Sequence, residues 1–356
     1  MNRRGFSSLL RGRGLGILFA VLALSTLFAA QANAQPFGMW NVYNRATVGY
    51  IEIPHNAALN PTSGITIEGW VNVTDPGGCS NIIGKGYTTA WWVGICGTTL
   101  RSYLRGSGSF HDGGSLAGGW NHFAVTWNGS VRRHYINGEQ VGEWPEASPP
   151  TTNTQPVRIG SDVNYANNYP NGSINEIRLW NVARTVDQIR ANINVPITTA
   201  QTGLVAVWAA GGPADVVGPY DGARVGSLPA MTFPVAANCG SGSATSLCLN
   251  DRHAVSVRWR TDPPGGTLGT GQVAPLTTEE SGLFWFFGPN NWEVMVKVLN
   301  GCGLNDRWWV FTAATTNVYY RLEVFDIRAG VNKVYFNYPG PPAPAVTDVS
   351  ALATCP

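Results

Sequence analysis

The feature that most constrains this chain is an alternation of apolar and polar residues in short segments between Trp40 and Trp208. Tyr50-Ile51-Glu52-Ile53, Ile65-Thr66-Ile67-Glu68-Gly69-Trp70-Val71 and Phe123-Ala124-Val125-Thr126-Trp127 all repeat with period two. Successive side chains of an extended strand point to opposite faces, so the pattern specifies half-buried antiparallel strands rather than amphipathic helices. Asp75-Pro76-Gly77-Gly78, Asn128-Gly129 and Asn137-Gly138 stand between the segments and supply the positive φ angles of tight hairpins. Abundant glycine (43) and tryptophan (14) with only 12% charge fit strands joined by turns. The expected class is all-β, with little helix.

Residues 1–34 read as a secretory signal peptide. Arg3, Arg4, Arg11 and Arg13 precede an apolar run from Leu15 to Ala30, and Ala32-Asn33-Ala34 offers a small-x-small cleavage site. A membrane anchor is the alternative, but this run falls short of the roughly 20 residues that span a bilayer. No later run is long enough either, so no span is expected after cleavage. Removing the leader takes four of the 23 basic residues and leaves 19 against 21 acidic ones, so the exported chain is slightly acidic. Without a basic surplus, nucleic acid is not an expected partner. The expected location is secreted, in solution or at the cell surface. What remains is longer than one core usually organises, and two domains follow from that length.

All six cysteines lie after the leader, and an even count in an exported chain favours disulfides. Their spacing does not suit a zinc site. The midpoint of Cys79 and Cys96 falls at Tyr87-Thr88, in a polar break between Ile82-Ile83 and Trp91-Trp92-Val93. A hairpin centred there sets residue 79 opposite residue 96, at about the 5.5 Å Cα separation a disulfide requires. Cys239, Cys248, Cys302 and Cys355 allow three pairings. The preferred one joins Cys239 to Cys248 across a short Gly/Ser-rich loop and Cys302 to Cys355, pinning the Pro-rich tail from Pro339 to Pro344.

YIEIPHNAALNP from Tyr50, ITIEGWVN from Ile65, IIGKG from Ile82, WNHFAVTWNGS from Trp120, HYINGEQVG from His134, VRIGSD from Val157 and GSINEIRLWNVART from Gly172 together resemble the laminin G-like, concanavalin A-like jelly roll family, which is related to the pentraxins. The resemblance implies an antiparallel jelly roll β-sandwich over 35–228 with one short helix, for which Thr185-Val186-Asp187-Gln188 is a capping box. It also implies binding of carbohydrate or of an extracellular protein. In the pentraxin branch the loop at Ser161–Asn171 carries calcium ligands, so Asp162, Asn164 and Asn171 are candidate oxygen donors. Calcium takes six to eight oxygens and this loop holds one carboxylate, so the alternative is a long hairpin loop whose Asn side chains serve the backbone.

Sugar rings stack on aromatic faces while neighbouring amides and carboxylates take the hydroxyls. The candidate ligand contacts are therefore Trp91, Trp92, Asp162, Asn164, Tyr165, Asn168 and Tyr169. Adjacent Trp91 and Trp92 must face opposite sides of a strand, so one of them is expected outside the core or over an edge.

Catalytic constellations are not found. No strand carries the acid-x-acid-x-x-acid run that sets two carboxylates about 5 Å apart in retaining glucanases of this fold. Glu139, Glu143 and Glu146 form the densest acid cluster and read as a solvated hairpin. The five histidines are scattered, and no nucleophile elbow accompanies them. A non-catalytic binding protein is expected, with a glycoside hydrolase or lyase as the remaining alternative.

A linker is expected over 229–238. Beyond it, six or seven short strands over 239–356 predict a smaller β-sandwich. LCLNDRHAVSVRW, LFWFFGPNNWEVMVKVLNGCGLNDRWWVF and the closing ATCP resemble an uncharacterised module at the end of secreted bacterial proteins.

Overall fold

The computed structural model describes residues 40–356 apart from 47, 74–77, 106–108, 167, 210, 232–235, 237, 262–266 and 340–342, so the expected signal peptide lies outside the described residues. The alternating segments pair into two antiparallel sheets. One runs Glu139–Pro145, Val131–Ile136, Asn121–Trp127, Ile65–Val73, Gly172–Trp180, Trp40–Tyr43 and Ala230–Met231, with Leu204–Trp208 beside Gly172–Trp180. The other runs Ala223–Gly226, Gly49–Ile53, Val157–Ile159, Cys79–Gly84, Trp92–Cys96, Thr99–Tyr103 and His111–Ser115. Their inner faces meet in one core, to which Ile51, Ile53, Val157 and Ile159 contribute from one side and Ile65, Ile67, Phe123 and Val125 from the other. Burying each such side chain contributes roughly 1.5–3 kcal/mol, and that term holds the layers together. The segment 229–238 includes the strand Ala230–Met231, which pairs with Trp40 and Asn41, so its first residues are part of the sandwich.

Local signals behave as their chemistry dictates. Thr185 and Gln188 exchange both hydrogen bonds of a capping box at the start of the helix Val186–Asn192, which buries Ile189. Cys79 and Cys96 are direct cross-strand partners and are bonded. A register shift between Asn81 and Ile83 places the consecutive Ile82 and Ile83 both in the core. The bridges Cys239–Cys248 and Cys302–Cys355 are formed, and no described cysteine is free.

Beyond residue 239 a second sandwich is built from two five-stranded sheets around Val257, Phe284, Val296, Val310 and Leu322. It holds more strands than the six or seven expected. Leu268–Thr270 and Gln272–Val273 are too short to display a period, and the pairing of Val346–Leu352 shifts register at its partner Trp308–Val310. A one-turn helix, Cys302–Asn305, was also not foreseen. Trp70, Trp120 and Ile193 of the first sandwich form an apolar seam with Val334 and Phe336 of the second. Arg321 crosses the seam to the carbonyl of Trp120. Among the described residues no helix is long and apolar enough to cross a membrane.

Three histidines are sealed in these layers. Burial, reinforced by the charge of Arg132, pushes His134 down to about 3, and burial pushes His253 down to about 4. His122 lies well below its ordinary value for the same reason, aided by Arg178 and Arg184. A histidine held neutral when folded takes up a proton on unfolding, so stability is retained above about pH 6.5 and lost as the pH falls toward 4. Each contributes a slope of up to about 1.4 kcal/mol per pH unit. Melting temperatures measured from pH 7 to pH 4 should fall steeply, and His134→Gln should flatten that fall.

A candidate aromatic binding platform

On the outer face of the seven-stranded sheet an aromatic cluster rises from the strands Trp92–Cys96 and Thr99–Tyr103. Trp92 is its floor. The indole is fully buried, donates Nε1–H to Oδ1 of Asn81 at 2.7 Å, and lies across Gly94, where a Cβ would come within 2.1 Å of the ring. Tyr87 and Tyr103 meet it edge-on at 5.5 and 5.4 Å. Tyr165 stacks on Tyr87 at 4.7 Å with 18° between the planes. The Tyr87 and Tyr103 hydroxyls lie 3.1 Å apart, and burial together with that hydrogen bond pushes the Tyr103 phenol up to about 12. At the rim Phe110 is 49% exposed, with the guanidinium of Arg101 over its ring and Arg101 forked onto exposed Asp112 by two 2.6 Å hydrogen bonds.

The loop 161–171 is fastened over this cluster. Asp162, wholly buried, accepts backbone N–H groups from Gly86, Tyr87 and Asn164 at 3.1, 3.0 and 2.9 Å. Asn81 donates Nδ2–H to the carbonyl of Tyr165, and its backbone N–H goes to Asn168. Arg45 reaches the carbonyl of Tyr169 at 3.3 Å. The result is a half-buried tyrosine pair with exposed Asn164, Thr88 and Thr89 around it, which is the arrangement that ring stacking with peripheral hydrogen bonding needs.

Of the residues singled out from sequence, Trp92, Asp162, Asn164 and Tyr165 come together here, with Asn168 and the largely buried Tyr169 anchoring the loop beneath. Trp91 does not: it is fully buried in the sandwich core, with Nε1–H donated to the carbonyl of Leu59. Trp92 does face away from that core, but Tyr87 and Tyr103 cover it, so neither indole is exposed. Asp162 serves the loop backbone, and among the described residues no group of three or more His, Cys, Asp or Glu side chains could hold a metal ion. Tyr87, Tyr103, Phe110, Arg101 and Asp112 escaped the sequence reading. The available signal was Tyr87 in the polar break between two strands.

The acid cluster is not the solvated hairpin expected. Only Glu143 is exposed, paired with Arg133. Glu146 is buried against Arg132 and Arg105, and Glu139 is buried against Arg260 of the second sandwich. Glu68 and Glu176, two further buried carboxylates of this sandwich, are locked onto Arg178, with Arg184 also on Glu68.

Residues 45–190 match the family model of the concanavalin A-like lectin/glucanases superfamily. Similar solved structures include a candidate carbohydrate binding protein from Bacteroides ovatus, with a TM-score of 0.47 and 18% identity over 54% of this chain and 59% of that one. A pentraxin from Limulus polyphemus aligns with a TM-score of 0.40 and 13% identity over 54% of this chain and 93% of its own. The CBM40 of a Ruminococcus gnavus IT-sialidase, bound to α2,3 sialyllactose, aligns with a TM-score of 0.34 and 15% identity over 38% and 85%. No curated protein matches. The stretch 45–190 is thus a laminin G-like domain of the concanavalin A-like lectin/glucanase superfamily.

Proposed function

We infer that this is an exported glycan-binding protein whose first sandwich recognises sugar rings on the tyrosine platform. The observation that carries the reading is the stacked Tyr87–Tyr165 pair, half-exposed above Trp92 and Tyr103 and flanked by open Phe110, Asn164 and Asp112. Three disulfides suit an oxidising, extracellular location. Binding without catalysis is favoured because Glu68, Glu146 and Glu176 are buried in ion pairs, whereas glycoside hydrolysis needs two carboxylates open to the substrate.

The test is a glycan array followed by titration of the best hits. One stacking contact contributes about 0.5–1.5 kcal/mol, so Tyr165→Ala should weaken binding by up to about tenfold. Phe110→Ala should act similarly, and the double variant more strongly. Unchanged affinity in both variants, or an array without hits, would rule the platform out.

A further inference from the structure

A second site lies where the two sandwiches meet. The hairpin formed by Val131–Ile136 and Glu139–Pro145, with the loop before Asn121, faces the strands His253–Arg260 and Tyr319–Asp326 across a cavity of about 460 Å³. That is within the roughly 300–1,000 Å³ of small-molecule sites. Strand alternation brings Arg258 and Arg260 to one face, and register sets Arg258 opposite Arg321 and Arg260 opposite Tyr319. Three guanidinium groups therefore line the cavity with a single carboxylate, Glu139.

Their pairing is uneven. Arg260 is bound to Glu139, and Arg321 to Glu323 at 2.7 Å. Arg258 is exposed and donates Nη1–H only to the carbonyl of Gly118; among the described residues it has no carboxylate partner, and its Nε–Nη2 edge is free. Nε of Arg321, a residue only 4% exposed, and Nε of Arg260 are buried without an acceptor. A buried donor without an acceptor is costly, and a planar guanidinium edge matches a carboxylate in two parallel hydrogen bonds. Ile136 and Val141 stand across the cavity, and Leu268, 70% exposed, lines it on the arginine side as the strand partner of Arg260.

We propose that this cleft binds a carboxylate-bearing saccharide, a uronate, whose carboxylate takes the free edge of Arg258 while its apolar ring face rests on Leu268 and Val141. The site is separate from the tyrosine platform and does not depend on it. Titration calorimetry of the full exported chain with trigalacturonate and with galactotriose tests it. The uronate should bind at least tenfold tighter than the neutral trisaccharide, with affinity falling as salt rises. Arg258→Ala should lose at least tenfold toward the uronate. Leu268→Glu, at an exposed position that does not threaten the fold, should do the same by repelling the carboxylate. Equal binding of the two trisaccharides, no uronate binding, or an unaffected Arg258→Ala would overturn the proposal. So would a loss that follows Tyr165→Ala instead, because it would place the uronate on the platform.

Discussion

Asp162→Ala is expected to cost about 3–5 kcal/mol of stability and to abolish glycan binding in the same variant. The carboxylate is wholly buried and accepts three backbone N–H groups, two from the turn at Gly86-Tyr87 and one from its own loop at Asn164. Hydrogen bonds to a charged acceptor contribute about 1.5–3 kcal/mol each, and removing the acceptor leaves the donors facing an apolar void. Those bonds also position both tyrosines of the stacked pair, so stability and binding are expected to fall together. Asp162→Asn offers one carbonyl and turns an amide toward N–H donors, so it should rescue only part of the loss. Urea midpoints alongside glycan titration check both halves. Because backbone donors already occupy the carboxylate, calcium and a chelator should leave the melting temperature unchanged. A several-degree rise with calcium would instead make Asp162 a ligand.

Arg178→Met should lower stability by about 3–5 kcal/mol, the usual result of stripping one partner from a buried ion cluster. Arg178 is 1% exposed, is locked onto Glu176, and lies 3.6 Å from Glu68. It also donates to the carbonyls of Asn192 and Val195 at 2.9 Å, fixing the chain that leaves the helix. Without it two buried carboxylates face each other with Arg184 as the remaining cation, since burial keeps His122 neutral. Burial already raises the Glu176 carboxyl, and losing the opposing charge raises it further. A carboxyl raised in the folded state holds a proton the unfolded chain has released, so the variant's deficit relative to the parent protein grows as pH rises and shrinks toward acid. Denaturation at pH 5 and pH 7.5 should show the smaller deficit at pH 5. An equal deficit at both would mean that lost packing, not charge, is the cause.

The parts of this fold that were legible are those written in local spacing. Alternation at Ile51 and Ile53 announced a core face, the midpoint of Cys79 and Cys96 announced a hairpin, and Thr185 with Gln188 announced a helix start. The candidate site was legible at Trp92 and where its loop is a single segment, at Asp162, Asn164 and Tyr165. Tyr87 and Phe110 reach it from separate turns, and periodicity carries no information about which turns converge. Glu139 was misread as solvated because Arg260, which pairs with it, arrives from 121 residues away. Trp91 and Trp92 were correctly assigned to opposite faces, but the face of Trp92 is closed by Tyr87 from the preceding turn and Tyr103 from the neighbouring strand, so alternation alone could not reveal that both rings are covered.

The bridge between Cys302 and Cys355 also decides how this molecule would bear mechanical load. It joins residues 53 positions apart and closes a covalent loop that contains the strands Trp308–Ala314, Tyr319–Asp326, Val331–Asn337 and Val346–Leu352. Tension applied past Cys355 would pass through sulfur to Cys302 and on to the strand Asn291–Asn300, leaving those four strands unstretched. Reduction would route the same pull directly into Val346–Leu352, which lies at the margin of its sheet and would peel away first.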